Sequence, residues 1–410
     1  MPTWVKRGIF VVGLGALLVF AFLTAIKLVF VMFYFALLLA TVSWIWTRLG
    51  AARVSITRDA PQGAYEVGED FVEVLEVTNP AAVALPWVEV IDDAGIPGYD
   101  AGRAVSVGRR GSQTWRTNGR FNSRGRYRMG PTRLVTGDPF GLFERTREVP
   151  ASSSVTVYPH LVDVSRFLPG ATHTLGETIA LGRFMDAPPD AFGIREYDPS
   201  HGFNRIHWPS TARLGRPMSK SFEKYEGSDL IVVLDLSSNV HSGEAPVSTL
   251  EYAVSLAASL AVASLSRDQS VGLACNDARR TIIAPGRGGR QLREILDFLA
   301  VADATGGVHL ATLLQGLAAS RGRQSLVVIT PSAAGSWIDW LARVGRAGGG
   351  WNAVLHLDAG SFGGLATADP GLRSLGEGST WWSLTADDEI FLRRSSGGRS
   401  GSKDPLAMAI

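Results

Sequence analysis

The amino-acid sequence predicts an α/β membrane protein in three parts: two N-terminal transmembrane helices, a β-sandwich-like module, and a doubly wound, mostly parallel sheet. Three observations carry this reading. Two apolar runs, Ile9–Ile26 and Leu28–Trp46, are free of charge and separated only by Lys27, each close to the ~20 residues a helix needs to cross the hydrocarbon layer. From Ser55 to about His160 the text turns to short alternating runs punctuated by Gly, Pro and Asn, the pattern of antiparallel strands. After Leu230, apolar runs alternate with helical periodicity, which implies a parallel sheet with helices on both faces.

Residues 1–50 form the membrane part. A cleaved signal peptide would be shorter and would not be followed at once by a second apolar run. The pair reads as a helical hairpin with Lys27 reaching the far interface. Trp4, Trp44 and Trp46 stand where interfacial aromatic anchors belong, and Lys6, Arg7, Arg48, Arg53 and Arg58 flank the open ends. The positive-inside rule then puts both ends, and everything after residue 50, on the cytoplasmic side of the inner or cytoplasmic membrane, in a multi-pass topology. Neither run holds paired charges of the kind that mark a transport path, so the spans anchor.

Residues 51–165 form the β-rich module. Phe71–Asn79, Pro86–Asp93, Arg103–Gly108 and Ser154–Pro159 read as strands, and Glu73, Glu76 and Glu89 among apolar neighbours suggest one wet face. Between Gly119 and Val149 lie seven arginines. They suit either an anion-binding face or, more simply, strand edges that charge protects from pairing. In the same stretch Asp138-Pro139 and Gly141 specify a tight turn, with Phe140, Leu142 and Phe143 as hydrophobic anchors. That corner reads as architectural.

Residues 166–228 connect to the third part and include REYDPSHGFNRIHWPSTARLG, Arg195–Gly215. Here Arg195, Arg205 and Arg213 surround Tyr197 and Trp208, with His201 and His207 close by. Arg195, Glu196, Tyr197, Trp208 and Arg213 suit a clamp of arginines stacked on aromatics, or an exposed docking surface. Residues 229–392 follow. LIVVLDLSSN, Leu230–Asn239, is a buried strand that delivers Asp235, Ser237 and Asn239 to its carboxyl end, where open α/β sheets bind ligands. Thr249–Ser266, Arg290–Ala302, His309–Ser320 and Trp337–Arg346 read as helices. Ser270–Asp277 and Arg280–Pro285 read as a strand pair, and Ser325–Thr330, Trp351–Asp358 and Thr380–Leu384 as strands. Gly286–Arg290 (GRGGR) lacks a phosphate-loop context and reads as a turn. The tail, 393–410, is Gly/Ser-rich and reads as disordered.

Composition narrows the function. A net charge of +2 gives no global basic field, which argues against a nucleic-acid binder. The single cysteine, Cys275, lies in an apolar alternating run and reads as a core residue. Neither a nucleophile elbow nor a zinc-binding helix motif is present, so no catalytic residue is assigned, and no small-molecule substrate is expected.

RGRYRMGP (Arg124–Pro131), DPFGLF (Asp138–Phe143) and the REY…W…AR segment, followed by LIVVLDLSS, occur in that order. This series resembles the bacterial family catalogued as domain of unknown function 58. The resemblance implies two transmembrane helices, a β-rich region and a divergent von Willebrand factor A-like domain. It also implies partnership with a MoxR-type AAA+ ATPase in a chaperone-like role, maturing or assembling protein complexes. Ser200 and His201 depart from the family's usual Gly-Asp at that point.

Asp235-x-Ser237-x-Asn239 likewise resembles the Asp-x-Ser-x-Ser motif with which A-type domains hold a divalent cation. That resemblance implies a threonine and an aspartate from two later loops. Val308 stands in the threonine's place, with Thr305 out of register, and Pro331 stands in the aspartate's. Asp235, Ser237 and Asn239 are therefore expected to cap the first strand and grip a protein partner, with no cofactor. A weak Mg²⁺ or Ca²⁺ site, in a cation-dependent adhesion or ligand-binding domain, is the alternative.

Overall fold

The computed structural model describes residues 3–24, 26–51, 53–150, 153–168, 193–196, 211, 213, 218–221, 229–319, 324–333, 335–348, 351–365, 379–388 and 391. The chain divides into two compact units, Met1–Tyr158 and Pro159–Ile410.

The first unit opens with helices α1 (Thr3–Thr24) and α2 (Lys27–Ala51). Phe22 meets Phe30 edge-on at 5.4 Å across the bend between them. Among the described residues one helix, Lys27–Gly50, is long and apolar enough to cross a membrane, by length and composition. The other apolar segment, Gly8–Thr24, is shorter, so the expected second span does not meet the same measure.

Ten strands follow: β1 (Ser55–Asp59), β2 (Gly63–Glu66), β3 (Asp70–Asn79), β4 (Leu85–Asp92), β5 (Arg103–Val107), β6 (Gly111–Arg120), β7 (Gly125–Met129), β8 (Thr132–Gly137), β9 (Glu144–Val149) and β10 (Ser153–Tyr158). They pair as β1-β3-β6, β5-β4-β8-β9 and β2-β10-β7. Leu75 and Val77 of the first sheet and Val88, Val90 and Leu134 of the second share one apolar core. Phe71, Phe121, Met129, Val155 and Val157 form another with the third.

Glu73 corrects the reading of one wet face. It shares strand parity with the buried Phe71, Leu75 and Val77 and is itself 0% exposed. What permits this is Arg58 of β1, whose guanidinium forks onto both oxygens of Glu73 and, at 2.8 Å each, onto both oxygens of Asp92. Tyr99 donates its hydroxyl to Glu73 at 2.5 Å. Burial opposes the charge on Arg58, yet the two carboxylates hold its pKa above the ordinary value. Burial and the Glu73 charge push the Tyr99 phenol up as well. Bidentate Arg–carboxylate pairing is the geometry that makes such a cluster tolerable away from water.

The Asp138 corner forms as the sequence suggests. Its carboxylate accepts from the backbone N–H of Phe140 at 2.8 Å and of Phe143 at 2.6 Å. Gly141 supplies the positive φ of +69° that the turn requires. Phe140 departs from its expected role as an anchor, because it is 60% exposed.

In the second unit, β11 (Gly193–Glu196) and β12 (Met218–Ser221) pair antiparallel. The main sheet contains β13 (Asp229–Leu234), β16 (Val271–Cys275), β17 (Ile282–Gly286), β18 (Gln324–Thr330), β19 (Asn352–Leu357) and β20 (Ser379–Leu384). A two-residue pair, β14 (Gly243–Glu244) and β15 (Val247–Ser248), follows β13. The main order is β17-β16-β13-β18-β19-β20, parallel except for the antiparallel edge strand β17.

The helices are α3 (Thr249–Leu265), α4 (Gly288–Val301), α5 (Leu310–Ala318) and α6 (Ser336–Gly348). Ser248 caps α3 by accepting from Glu251 N–H at 3.2 Å. The small and apolar residues of α3 are buried nearly all round. The side chains of α5 and α6 pack on Ile231, Val233, Leu326, Val328 and Val354, one face of the sheet. Gly286–Arg290 proves to be a strand-to-helix junction, with Gly286 ending β17 and Gly288 opening α4 at φ +78°.

Candidate functional site

The chain leaves β13 toward β16 on one side and later returns to β18 on the other, so the carboxyl ends of β13 and β18 flank a topological switch point, where open sheets form a crevice. Asp235 stands there, one residue past β13, and is 0% exposed. Its Oδ2 accepts from the Thr330 hydroxyl at 2.6 Å and the Ser332 hydroxyl at 2.7 Å. Its Oδ1 accepts from Asn276 Nδ2 at 2.8 Å and from the backbone N–H of Ser237 at 3.2 Å. Two donors on each oxygen use the four acceptor sites of a carboxylate.

Asn276 organises the rest. Its Oδ1 accepts from Leu236 N–H at 2.6 Å, which fixes the orientation of the amide. Its Nδ2 then also donates to Ser237 Oγ at 2.8 Å and to the Val308 carbonyl at 3.0 Å. Gly306 brings that loop in: its N–H donates to Leu236 O at 2.9 Å, and its carbonyl accepts from Ser238 N–H at 3.0 Å. A Cβ on Gly306 would stand 2.0 Å from the Asn276 carbonyl oxygen, so only glycine permits this approach. On the other side His241 Nε2 donates to Asp235 O at 2.8 Å, and its Nδ1 lies 3.1 Å from Thr249 Oγ1.

The divalent cation implied by the A-type motif would need open lone pairs on Asp235 and Ser237. The donors around Asp235 do not suit one. Two hydroxyls and a fixed amide aim hydrogens at those oxygens, and among the described residues no group of three His, Cys, Asp or Glu side chains could hold a metal.

Of the expected site residues, Asp235 and Ser237 meet in this network. Asn239 does not: it is exposed and takes part in none of these bonds. Arg195 and Glu196 lie on β11, and Arg213 is exposed. Tyr197 and Trp208, with His201 and His207, lie outside the described residues. Pro331 does sit where a carboxylate was expected, but its neighbours Thr330 and Ser332 supply hydroxyls instead. Val308 contributes its carbonyl, and Thr305 is exposed. Asn276, Thr330, Ser332, Gly306 and His241 escaped the sequence reading. The Gly306-Gly307 pair was the visible signal for the loop.

Strand register extends the site into a rung. Leu234 pairs with Cys275 and Ile329, so Asn276, Asp235 and Thr330 align next, and Thr330 pairs with His356. His356 is 1% exposed and neither ring nitrogen has a partner among the described residues. Burial lowers its pKa, with Asp358 opposing. Cys275 points to the other face and is fully buried, and burial raises its thiol pKa well above the ordinary value, as a core residue requires.

Residues 193–357 match the family described as "Protein of unknown function DUF58". The chain is 25% identical over 179 residues to the uncharacterized protein YeaD of Bacillus subtilis (strain 168), a match spanning 44% of this chain and 43% of that protein. Among solved structures, the CARDB domain of a Pyrococcus furiosus protein covers 25% of this chain and 86% of its own length, at 15% identity and a TM-score of 0.20. A β-glucosidase from Listeria innocua covers 25% of this chain and 16% of its own, at 11% identity and a TM-score of 0.16. Likenesses this distant carry no argument about function.

Proposed function

From the DUF58 match over residues 193–357, we propose that the protein is a membrane-anchored assembly factor that docks a protein partner, a MoxR-type AAA+ ATPase. In this reading the second unit is a von Willebrand A-like domain with a degenerate cation site, and its strand-tip loop is the docking rim. The observation that supports it is the Asp235 carboxylate, which four protein donors satisfy without an ion. A rim held by its own hydroxyls and amide is rigid by itself, so the exposed Ser238 and Asn239 beyond it are presented in a fixed geometry. Asp235 then acts as the scaffold of the surface and not as a contact. Arg213, exposed, is a further candidate contact of the partner, since Arg is a favoured interface anchor. The sheet order with an antiparallel edge strand supports the A-type reading. The two apolar helices, read as a hairpin, tether the whole to the cytoplasmic side of the membrane.

The test is binding of the full chain in lipid nanodiscs to a purified MoxR-type ATPase from the same genome, read by biolayer interferometry. Asn239→Arg and Arg213→Glu are each expected to weaken binding at least about tenfold, or ~1.4 kcal/mol, with the thermal midpoint unchanged. Binding that neither variant alters would sink the docking rim.

A further inference from the structure

The Asp138–Phe143 corner abuts the last turn of α2. Thr47 Oγ1, whose hydroxyl donates to the Ser43 carbonyl at 3.0 Å, lies 3.4 Å from the Phe143 carbonyl, and Trp46 Nε1 donates to the Ala84 carbonyl at 3.0 Å. Gly50 is packed so closely that a Cβ there would stand 2.6 Å from Leu85 Cδ2. The corner is rigid, because Asp138, itself 0% exposed, holds the N–H groups of Phe140 and Phe143, and its carbonyl accepts from Trp87 Nε1 at 3.3 Å. Yet this braced turn leaves Phe140 60% exposed. A turn so firmly held presents this aromatic ring at a fixed position beside the end of α2.

The helix indicates which one. The 24 residues of Lys27–Gly50 extend roughly 36 Å at ~1.5 Å per residue. The hydrocarbon layer is ~30 Å thick. The excess, about 6 Å or four residues, is shared between the two ends, so Leu49 and Gly50 reach the headgroup region at the carboxyl end. Trp44, 49% exposed and with the Arg48 guanidinium 5.2 Å over its ring, stands just below them, where interfacial aromatic anchors belong.

We propose that the Asp138–Phe143 corner is a lipid contact in which Phe140 enters the headgroup–acyl boundary of the leaflet where α2 ends, seating the β-module on the bilayer. This rests on reading Lys27–Gly50 as a membrane span. The occupant is lipid and not protein, because the corner that carries Phe140 touches α2 through Phe143, beside the last turn of the candidate span.

The test uses the full chain with Cys275→Ala, reconstituted in phosphatidylcholine–phosphatidylglycerol liposomes. A nitroxide is placed at Phe140→Cys, at Leu38→Cys within the span, and at Val72→Cys, an exposed position on β3 beyond its pairing with β1. Collision with oxygen and with a water-soluble nickel chelate is then compared. Leu38 and Phe140 are expected to favour oxygen and Val72 the chelate. Moving the label to the exposed Pro139→Cys must reproduce the Phe140 result. A chelate-accessible Phe140 beside an oxygen-accessible Leu38 overturns the lipid contact alone. A chelate-accessible Leu38 overturns the span, and the contact with it.

Discussion

The two units bury carboxylates in opposite ways. In the β-module, Glu73 and Asp92 are satisfied chiefly by one opposite charge, the Arg58 fork. At the rim of the main sheet, Asp235 is satisfied by neutral donors alone: two hydroxyls, an amide and a backbone N–H. The first arrangement ties stability to a single side chain. The second spreads it over four donors, so that no single loss leaves the charge bare.

Removing the shared partner is the sharpest way to break this comparison. Arg58→Met would strand two buried carboxylates and is expected to cost about 3–5 kcal/mol, measured by urea unfolding of the full chain. A loss below 1 kcal/mol, on the order of a surface pair, would mean that water reaches the cluster. Asp235→Asn keeps the shape of the rim but removes its charge. It is expected to cost less, about 1.5–3 kcal/mol, in the same measurement. Equal losses from the two substitutions would erase the contrast.

pH sharpens it further. The Tyr99 phenol, held above its ordinary 10.0 in the fold, adds stability that is complete below that value and is lost as pH rises through the folded one. Tyr99→Phe should therefore flatten the alkaline limb of a stability–pH profile. The smallest effect belongs to His356, whose pKa burial lowers from 6.5. Its contribution is complete above pH 6.5 and is lost as pH falls through the folded value. His356→Leu should flatten the acid limb. An acid limb unchanged in His356→Leu would show that the imidazole is hydrated.

Much of this was legible beforehand because it is local. Period-two alternation located β3, β4 and β10, and apolar runs located β18 and β19, each within a residue or two, and the start of β13, which ends at Leu234 and not at Asn239. Asp235 was legible as the tip of a buried strand. Its partners were not, because they are 95, 97 and 41 residues away and look like ordinary loop hydroxyls and amides. Asn239 stands outside that network: local spacing matches a motif, but the loop leaves its side chain exposed. Glu73 carried its own clue, since it shares parity with Phe71, Leu75 and Val77, but only Arg58 from another strand makes that position tenable. Sequence shows where a charge sits along a strand, and tertiary structure decides what neutralises it.

The span of 95 residues between Asp235 and Thr330 also sets a schedule. A ribosome that has released Asp235 needs roughly 5–20 s more, at ~5–20 residues per second, before Thr330 exists. For that interval the carboxylate stays hydrated and the central strand lacks a neighbour on one side. By then α1, α2 and the β-module have long been made, so the first unit can close before the second.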